Sequence, residues 1–147
     1  HKSITHWENL DDDIKIKPTL RSFETAIRKE CKPKNVLYFY GQRWQQVHHA
    51  RLRIGCSMLN NDLANKLHVI NEANCVCGHP IEDANHFFFE CPIFNDLRED
   101  LLEGISGLCQ PTVENLLYGN PLLPAAENRL IFKAVHSFII DSTRFNN

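Results

Sequence analysis

The sequence predicts a mainly α fold: a small helical domain pinned near its middle by a metal knot, with at most a short β-hairpin. Three observations carry this. Apolar residues recur at three- and four-residue steps over most of the chain, which is the period of an amphipathic helix. Cysteines and histidines crowd into one short stretch between Cys75 and Cys91. Glycine and proline fall between the periodic segments, where they stop helices.

With 147 residues the chain suits a single modest core. It opens on His1 and its one methionine is Met58, so it reads as a piece of a longer chain. No run approaches the roughly twenty apolar residues of a membrane span, and no basic, hydrophobic leader opens it.

The first segment, Trp7 to Ile14, has a few apolar anchors, and its Asp11-Asp12-Asp13 run reads as a turn or helix start. From Thr19, a capping residue after Pro18, the positions Leu20, Phe23, Ile27 and Cys31 have helical spacing, and Pro33 ends the pattern. Arg21, Arg28, Lys29 and Lys32 cover the other faces. Val36 to Tyr40 is a short aromatic segment leading to Gly41. A long basic helix then follows, with Trp44, Val47, Arg51, Ile54 and Met58 as its stripe and Arg43, His49 and Arg53 on other sides. Arg51 lies inside that stripe, where a buried ion pair and a backbone-phosphate contact are both open. Leu59, Leu63 and Leu67 continue helical spacing to His68, and Asn71 to Asn74 form a loop. After Cys91, Pro92 suits the first turn of a helix carrying Phe94, Leu97, Leu101 and Ile105. Thr112 caps a short helix that stops at Gly119-Asn120-Pro121. Beyond Pro124, the stripe Ile131, Ala134, Val135, Phe138, Ile139 and Phe145 predicts a closing helix of about five turns.

The central stretch reads Cys-x-Cys, eight residues, His, four residues, Cys. A structural zinc ion takes four such ligands in a tetrahedron, and Cys₃His is a standard set. Cys75, Cys77, His86 and Cys91 are therefore the candidate ligands for Zn²⁺, with His79 as a competitor for His86. A strand at Cys75 to Cys77 would hold both thiols on one face, and a helical turn would bring His86 and Cys91 together. Six cysteines are present, and their clustering beside histidine favours metal over disulfides in a reducing compartment, nuclear or cytoplasmic. Cys31, Cys56 and Cys109 read as buried thiols.

The net charge of −2 hides an asymmetry. Residues 15 to 53 carry ten Lys and Arg against Glu24 and Glu30, whereas residues 75 to 147 carry four basic against ten acidic residues. The basic part can face phosphate. Its candidate contacts are Arg28, Lys29, Lys32, Arg43, His49, Arg51 and Arg53. His48 and His49 lack a nearby carboxylate and a nucleophile, so they are not read as catalysts.

The succession Trp7-x-x-Leu10, Leu20-x-x-Phe23, Arg51-Leu52-Arg53, Leu59-Asn60-x-x-Leu63, Cys75-x-Cys77-Gly78, Glu82-Asp83-Ala84-x-His86-Phe87, Cys91-Pro92 and Arg98 resembles the C-terminal region of non-LTR (LINE-type) retrotransposon reverse transcriptases. The tail Leu116-Leu117-Tyr118-Gly119 and Ile131-Phe132-x-Ala134-Val135-x-x-Phe138-Ile139 extends the resemblance over nearly the whole chain. It implies a Cys-Cys-His-Cys zinc segment following the polymerase thumb, which helps hold template RNA or target DNA during target-primed reverse transcription. The implied ligands are Cys75, Cys77, His86 and Cys91. The single residue between the first two cysteines departs from the two or three usual in that family. On this reading residues 1–41 are a linker and amphipathic helix after the thumb, and residues 42–147 are the zinc-knuckle domain.

The expected partners are RNA or DNA and the remainder of the parent reverse transcriptase, with no membrane. No catalysis is expected of this piece: polymerase chemistry needs an aromatic-x-Asp-Asp hairpin with a further aspartate for two metal ions, and Asp11 to Asp13 lack that setting. A restriction-like endonuclease built from Asp13 with Glu30-Cys31-Lys32 would need the Glu-x-Lys on a strand, and here it closes a helix. A structural module that braces the parent polymerase without touching nucleic acid is the alternative.

Overall fold

The computed structural model describes residues 40–146. The segments read at Trp7 to Ile14 and Thr19 to Lys32, with Arg28, Lys29, Lys32 and Cys31, lie outside these residues, as does most of the 1–41 region.

Among the described residues there is no strand, and the hairpin allowed for is not formed. The elements are α1 (Arg43–Ile54), α2 (Asn60–Asn65), a π-helical turn (His86–Glu90), a 3₁₀ turn (Pro92–Phe94), α3 (Asn95–Ile105), α4 (Val113–Tyr118) and α5 (Ala125–Asp141). The expectation of a mainly helical domain therefore holds.

Helix α5 is the central element and packs on α1, α3 and α4. Its periodic residues Ile131, Phe132, Val135, Phe138 and Ile139 are all buried, because a helix with neighbours on several sides needs an apolar surface wider than one stripe. Asn128, also buried, is used locally: its side chain accepts from the Asn120 N–H at 2.7 Å and donates to the Asn120 and Leu123 carbonyls at 2.9 and 3.0 Å. Phe145, predicted inside this helix, lies beyond its end at Asp141, yet is still buried. The chain turns at Thr143, whose φ is 52°.

Helix α3 follows the Pro92 turn as its spacing predicts, burying Leu101 and Ile105. Gly104 sits where α3 meets α5, and a Cβ there would stand 2.9 Å from the Ala134 Cβ. The missing side chain sets how closely the two helices approach. Thr112 caps α4 as expected, its hydroxyl accepting from the Asn115 N–H at 3.2 Å.

Two predicted stripes are corrected. In α1 the buried residues are His48, His49 and Leu52, whereas Arg51 is exposed and Ile54 is 68% exposed. The helix stops at Gly55, in the left-handed region at φ 61°, so Met58 is not part of it. Its core side faces main-chain carbonyls of α4 and an imidazole of α5, partners that reward polar side chains. The Leu59-Leu63-Leu67 stripe ends early, at Asn65. The Leu67 N–H folds back onto the Asp62 carbonyl at 2.9 Å, and Leu67 is left 43% exposed. Asp62 also accepts from the Ser57 N–H and hydroxyl at 3.0 and 2.6 Å, which fixes the α1–α2 loop.

Candidate metal centre

Residues 73 to 82 form a loop closed by the Glu82 N–H donating to the Ala73 carbonyl at 2.7 Å and the Cys75 N–H to the His79 carbonyl at 2.9 Å. Inside it the Gly78 N–H returns to the Cys75 carbonyl at 3.0 Å, and Gly78 takes φ 93°, which suits glycine. This turn, and not a strand, places both thiols on one side. Val76 between them is 85% exposed.

The other two candidate ligands come from the π-helical turn. Its Cys91 N–H donates to the His86 carbonyl at 2.8 Å, a five-residue step that sets side chains five apart on one side. The Asp83 carboxylate accepts from the His86 N–H at 2.8 Å and starts the turn. Arg98, from α3, closes it by donating to the Phe88 and Cys91 carbonyls at 2.9 and 2.7 Å. Phe87 and Phe88, fully buried, anchor the turn in the core.

Together these segments bring Cys75, Cys77, His86 and Cys91 into one group, with ligand atoms all within 4.8 Å of one another. Cys75 Sγ and Cys91 Sγ are 3.8 Å apart, and Cys77 Sγ is 3.3 Å from His86 Nε2. A tetrahedral ion with metal–sulfur bonds of about 2.3 Å and metal–nitrogen bonds of about 2.0 Å has S–S edges of about 3.8 Å and S–N edges of about 3.5 Å. These two pairs lie near those edges, and the group can hold a metal ion. The sulfurs are far outside disulfide bonding distance, and all five described cysteines are free thiols. Cys56 and Cys109 stand apart from the group and are half-buried.

Burial pushes the Cys75 thiol up to about 12, with the neighbouring Cys91 sulfur acting in the same direction. The Cys77 thiol is lowered, chiefly by the His79 backbone N–H. A bound cation would be what lets Cys75 give up its proton, so binding here is coupled to proton release.

His79 does not enter the sulfur group. Its ring stacks on His86 at 4.2 Å with 12° between the planes, and its Nδ1 is 2.8 Å from the Ile81 carbonyl. Glu90 stands 3.7 Å from His86 Nδ1 and 3.9 Å from His79 Nε2. These three form a second cluster that shares His86, beside the first. The imidazole facing the three sulfurs is that of His86.

The candidate phosphate contacts divide. Arg43 and Arg51 are exposed on α1. Arg53 turns inward, with its Nε donating to the Leu117 carbonyl and its guanidinium 5.1 Å from the Phe132 ring centre. His49 is a correction: it is 1% exposed. Its Nε2 is 3.1 Å from the Leu116 carbonyl and its Nδ1 3.0 Å from His136 Nε2. A carbonyl can only accept, so His49 carries its proton on Nε2 and accepts at Nδ1, which His136 Nε2 and, at 3.2 Å, a terminal nitrogen of Arg53 both face. Burial, then Arg53, lowers both imidazoles: His49 well below its usual value and His136 to about 4. This pair joins α1, α4 and α5 in the core and is not a surface for a polyanion.

Sequence reasoning missed Arg144 and the role of Glu82. Glu82, 2% exposed, accepts a fork from Arg144, Nε to Oε1 and a terminal nitrogen to Oε2, both at 2.7 Å. The Glu82-Asp83 pair enters the sequence reading only through the resemblance, and nothing local signals a partner 62 positions away.

Fold and site together define a small helical domain with a Cys₃His group able to hold a metal ion. No protein family, no curated protein and no solved structure matches the chain. Among the described residues, no helix is long and apolar enough to cross a membrane.

Proposed function

We propose that the ion is zinc and that the chain is a non-catalytic, zinc-pinned module binding RNA or DNA, of the kind that follows the polymerase thumb in non-LTR retrotransposon reverse transcriptases. The observation that carries this reading is the Cys₃His group itself, four ligand atoms all within 4.8 Å of one another. Three thiolates and an imidazole are soft-to-borderline donors suited to zinc. With four protein ligands the ion has no open position for a reacting water, which makes the site structural. Free thiols at such a site fit a reducing compartment, nuclear or cytoplasmic.

Nucleic-acid contact rests on the exposed Arg43 and Arg51 of α1, with the basic residues Arg28, Lys29 and Lys32 of the preceding segment. Binding through such side chains is driven by counterion release and weakens steeply with salt. The test is a salt series with single-stranded RNA, single-stranded DNA and duplex DNA, comparing wild type with the double variant Arg43→Glu/Arg51→Glu. The expected result is binding by the wild type in low salt, at least tenfold weaker in the variant, at an unchanged melting temperature. A wild type that binds none of these in low salt refutes the nucleic-acid part. A second reading, a protein-contact module bracing the parent polymerase, is favoured by Asp96, Glu99, Asp100 and Glu103, all exposed on α3.

A further inference from the structure

We propose that Arg144 is the counter-cation of the metal centre, so that retention of the ion depends on the segment following α5. This rests on the zinc reading above and adds to it a residue outside the ligand set. Three thiolates, one neutral imidazole and a divalent ion carry a net charge of −1. Glu82 adds a buried carboxylate, its Oε1 3.9 Å from Cys75 Sγ. Like charges at that separation, away from water, oppose each other strongly. The Arg144 fork offsets the second negative charge where it arises.

The pair is built into the fold from several sides. Glu82 Oε2 accepts from the Asn60 N–H at the start of α2 at 2.9 Å. Arg144 also donates to the Met58 carbonyl at 2.9 Å and to Asn60 Oδ1 at 3.2 Å. Its own segment is held by the Ser142 hydroxyl donating to the Ile139 carbonyl at 2.9 Å and by buried Phe145. Arg98 also donates near the centre, to the Cys91 carbonyl, but it forms no ion pair among the described residues. Arg144 is thus a positioning residue: it touches no ligand atom, and it makes the Glu82 carboxylate compatible with an anionic metal site.

The experiment measures Zn²⁺ and Co²⁺ affinity of the full chain by competition with a chromophoric chelator at pH 7. For Arg144→Gln the expected loss is about 10- to 100-fold, the usual range for outer-sphere partners of a metal site. The neutral pair Glu82→Gln/Arg144→Gln should recover most of that loss, since the uncompensated charge is gone. Wild-type affinity in Arg144→Gln overturns the proposal, and so does a double variant as weak as the single, which would mean that Arg144 acts by packing alone. Should Arg144→Gln fail to fold, the double variant carries the test: folded and metal-loaded supports the proposal, unfolded or metal-free overturns it. A wild-type chain that binds neither ion is a different failure, of the zinc reading itself.

Discussion

Replacing Phe87 with alanine probes how the metal knot is joined to the helices. Phe87 follows the candidate ligand His86 directly, is 0% exposed, and meets four rings edge-to-face: Phe88 at 5.0 Å, Phe138 at 5.1 Å, and Phe94 and Phe145 at 5.3 Å. Truncating a buried phenylalanine costs about 3–5 kcal/mol. Edge-to-face pairs each add about 0.5–1.5 kcal/mol beyond area, so with four of them the expected loss lies at the upper end, about 4–5 kcal/mol. At about 2–4 °C per kcal/mol for a chain near 150 residues, the melting temperature falls by about 8 °C or more. The assay is urea unfolding of the zinc-loaded chain, with Phe89→Ala as comparison. Phe89 is half-buried and has only a tilted contact with Phe88 at 6.3 Å among the ring contacts, so about 1 kcal/mol is expected there. A Phe87→Ala loss below that of Phe89→Ala would refute the anchoring of the turn.

Two further predictions concern α1 and its partners. Arg53→Glu should destabilise the fold by about 2 kcal/mol or more, because it strips a buried carbonyl of its donor and sets a carboxylate against Phe132, whereas Arg43→Glu and Arg51→Glu stay within about 0.5 kcal/mol of wild type; equal melting temperatures for all three would contradict the inward placement of Arg53. Acidification from about pH 6.5 towards 4 should lower stability through the His49–His136 pair. Over that window the unfolded chain takes up protons that the folded imidazoles, with depressed pKa values, do not, so stability rises with pH. Denaturant unfolding of the wild type and His136→Gln at pH 7 and pH 5 checks this, and an unchanged pH slope in the variant would rule it out.

Much of the helical pattern was legible in the sequence. The stripes of α3 and α5, the Pro92 turn and the Thr112 cap each follow from local chemistry that operates in the fold. The ligand cluster was legible because three thiols and an imidazole at such short spacing match a four-ligand metal set. The face of α1 was not, since periodicity scores apolar side chains and the buried residues there are mostly histidines: His49 meets a carbonyl of α4 and an imidazole of α5, and His48 packs against the rings of Trp44 and Phe145. Leu67 and Phe145 were placed in helices that stop short of them, because the reversals at Lys66 and Thr143 carry no glycine or proline. The Cys75–Cys77 step, read as a strand with both thiols on one face, is instead a turn that Gly78 permits. The Glu82–Arg144 pair is invisible to any local window, being a tertiary contact.

The central claim is that Cys75, Cys77, His86 and Cys91 ligate one zinc ion. X-ray absorption at the zinc edge of the purified chain tests it most directly. The account predicts one zinc per chain with three sulfurs at about 2.3 Å and one nitrogen at about 2.0 Å, and two sulfurs remaining in Cys91→Ser if the ion is held at all. A shell of nitrogen and oxygen only, or a Cys91→Ser spectrum identical to wild type, would contradict it.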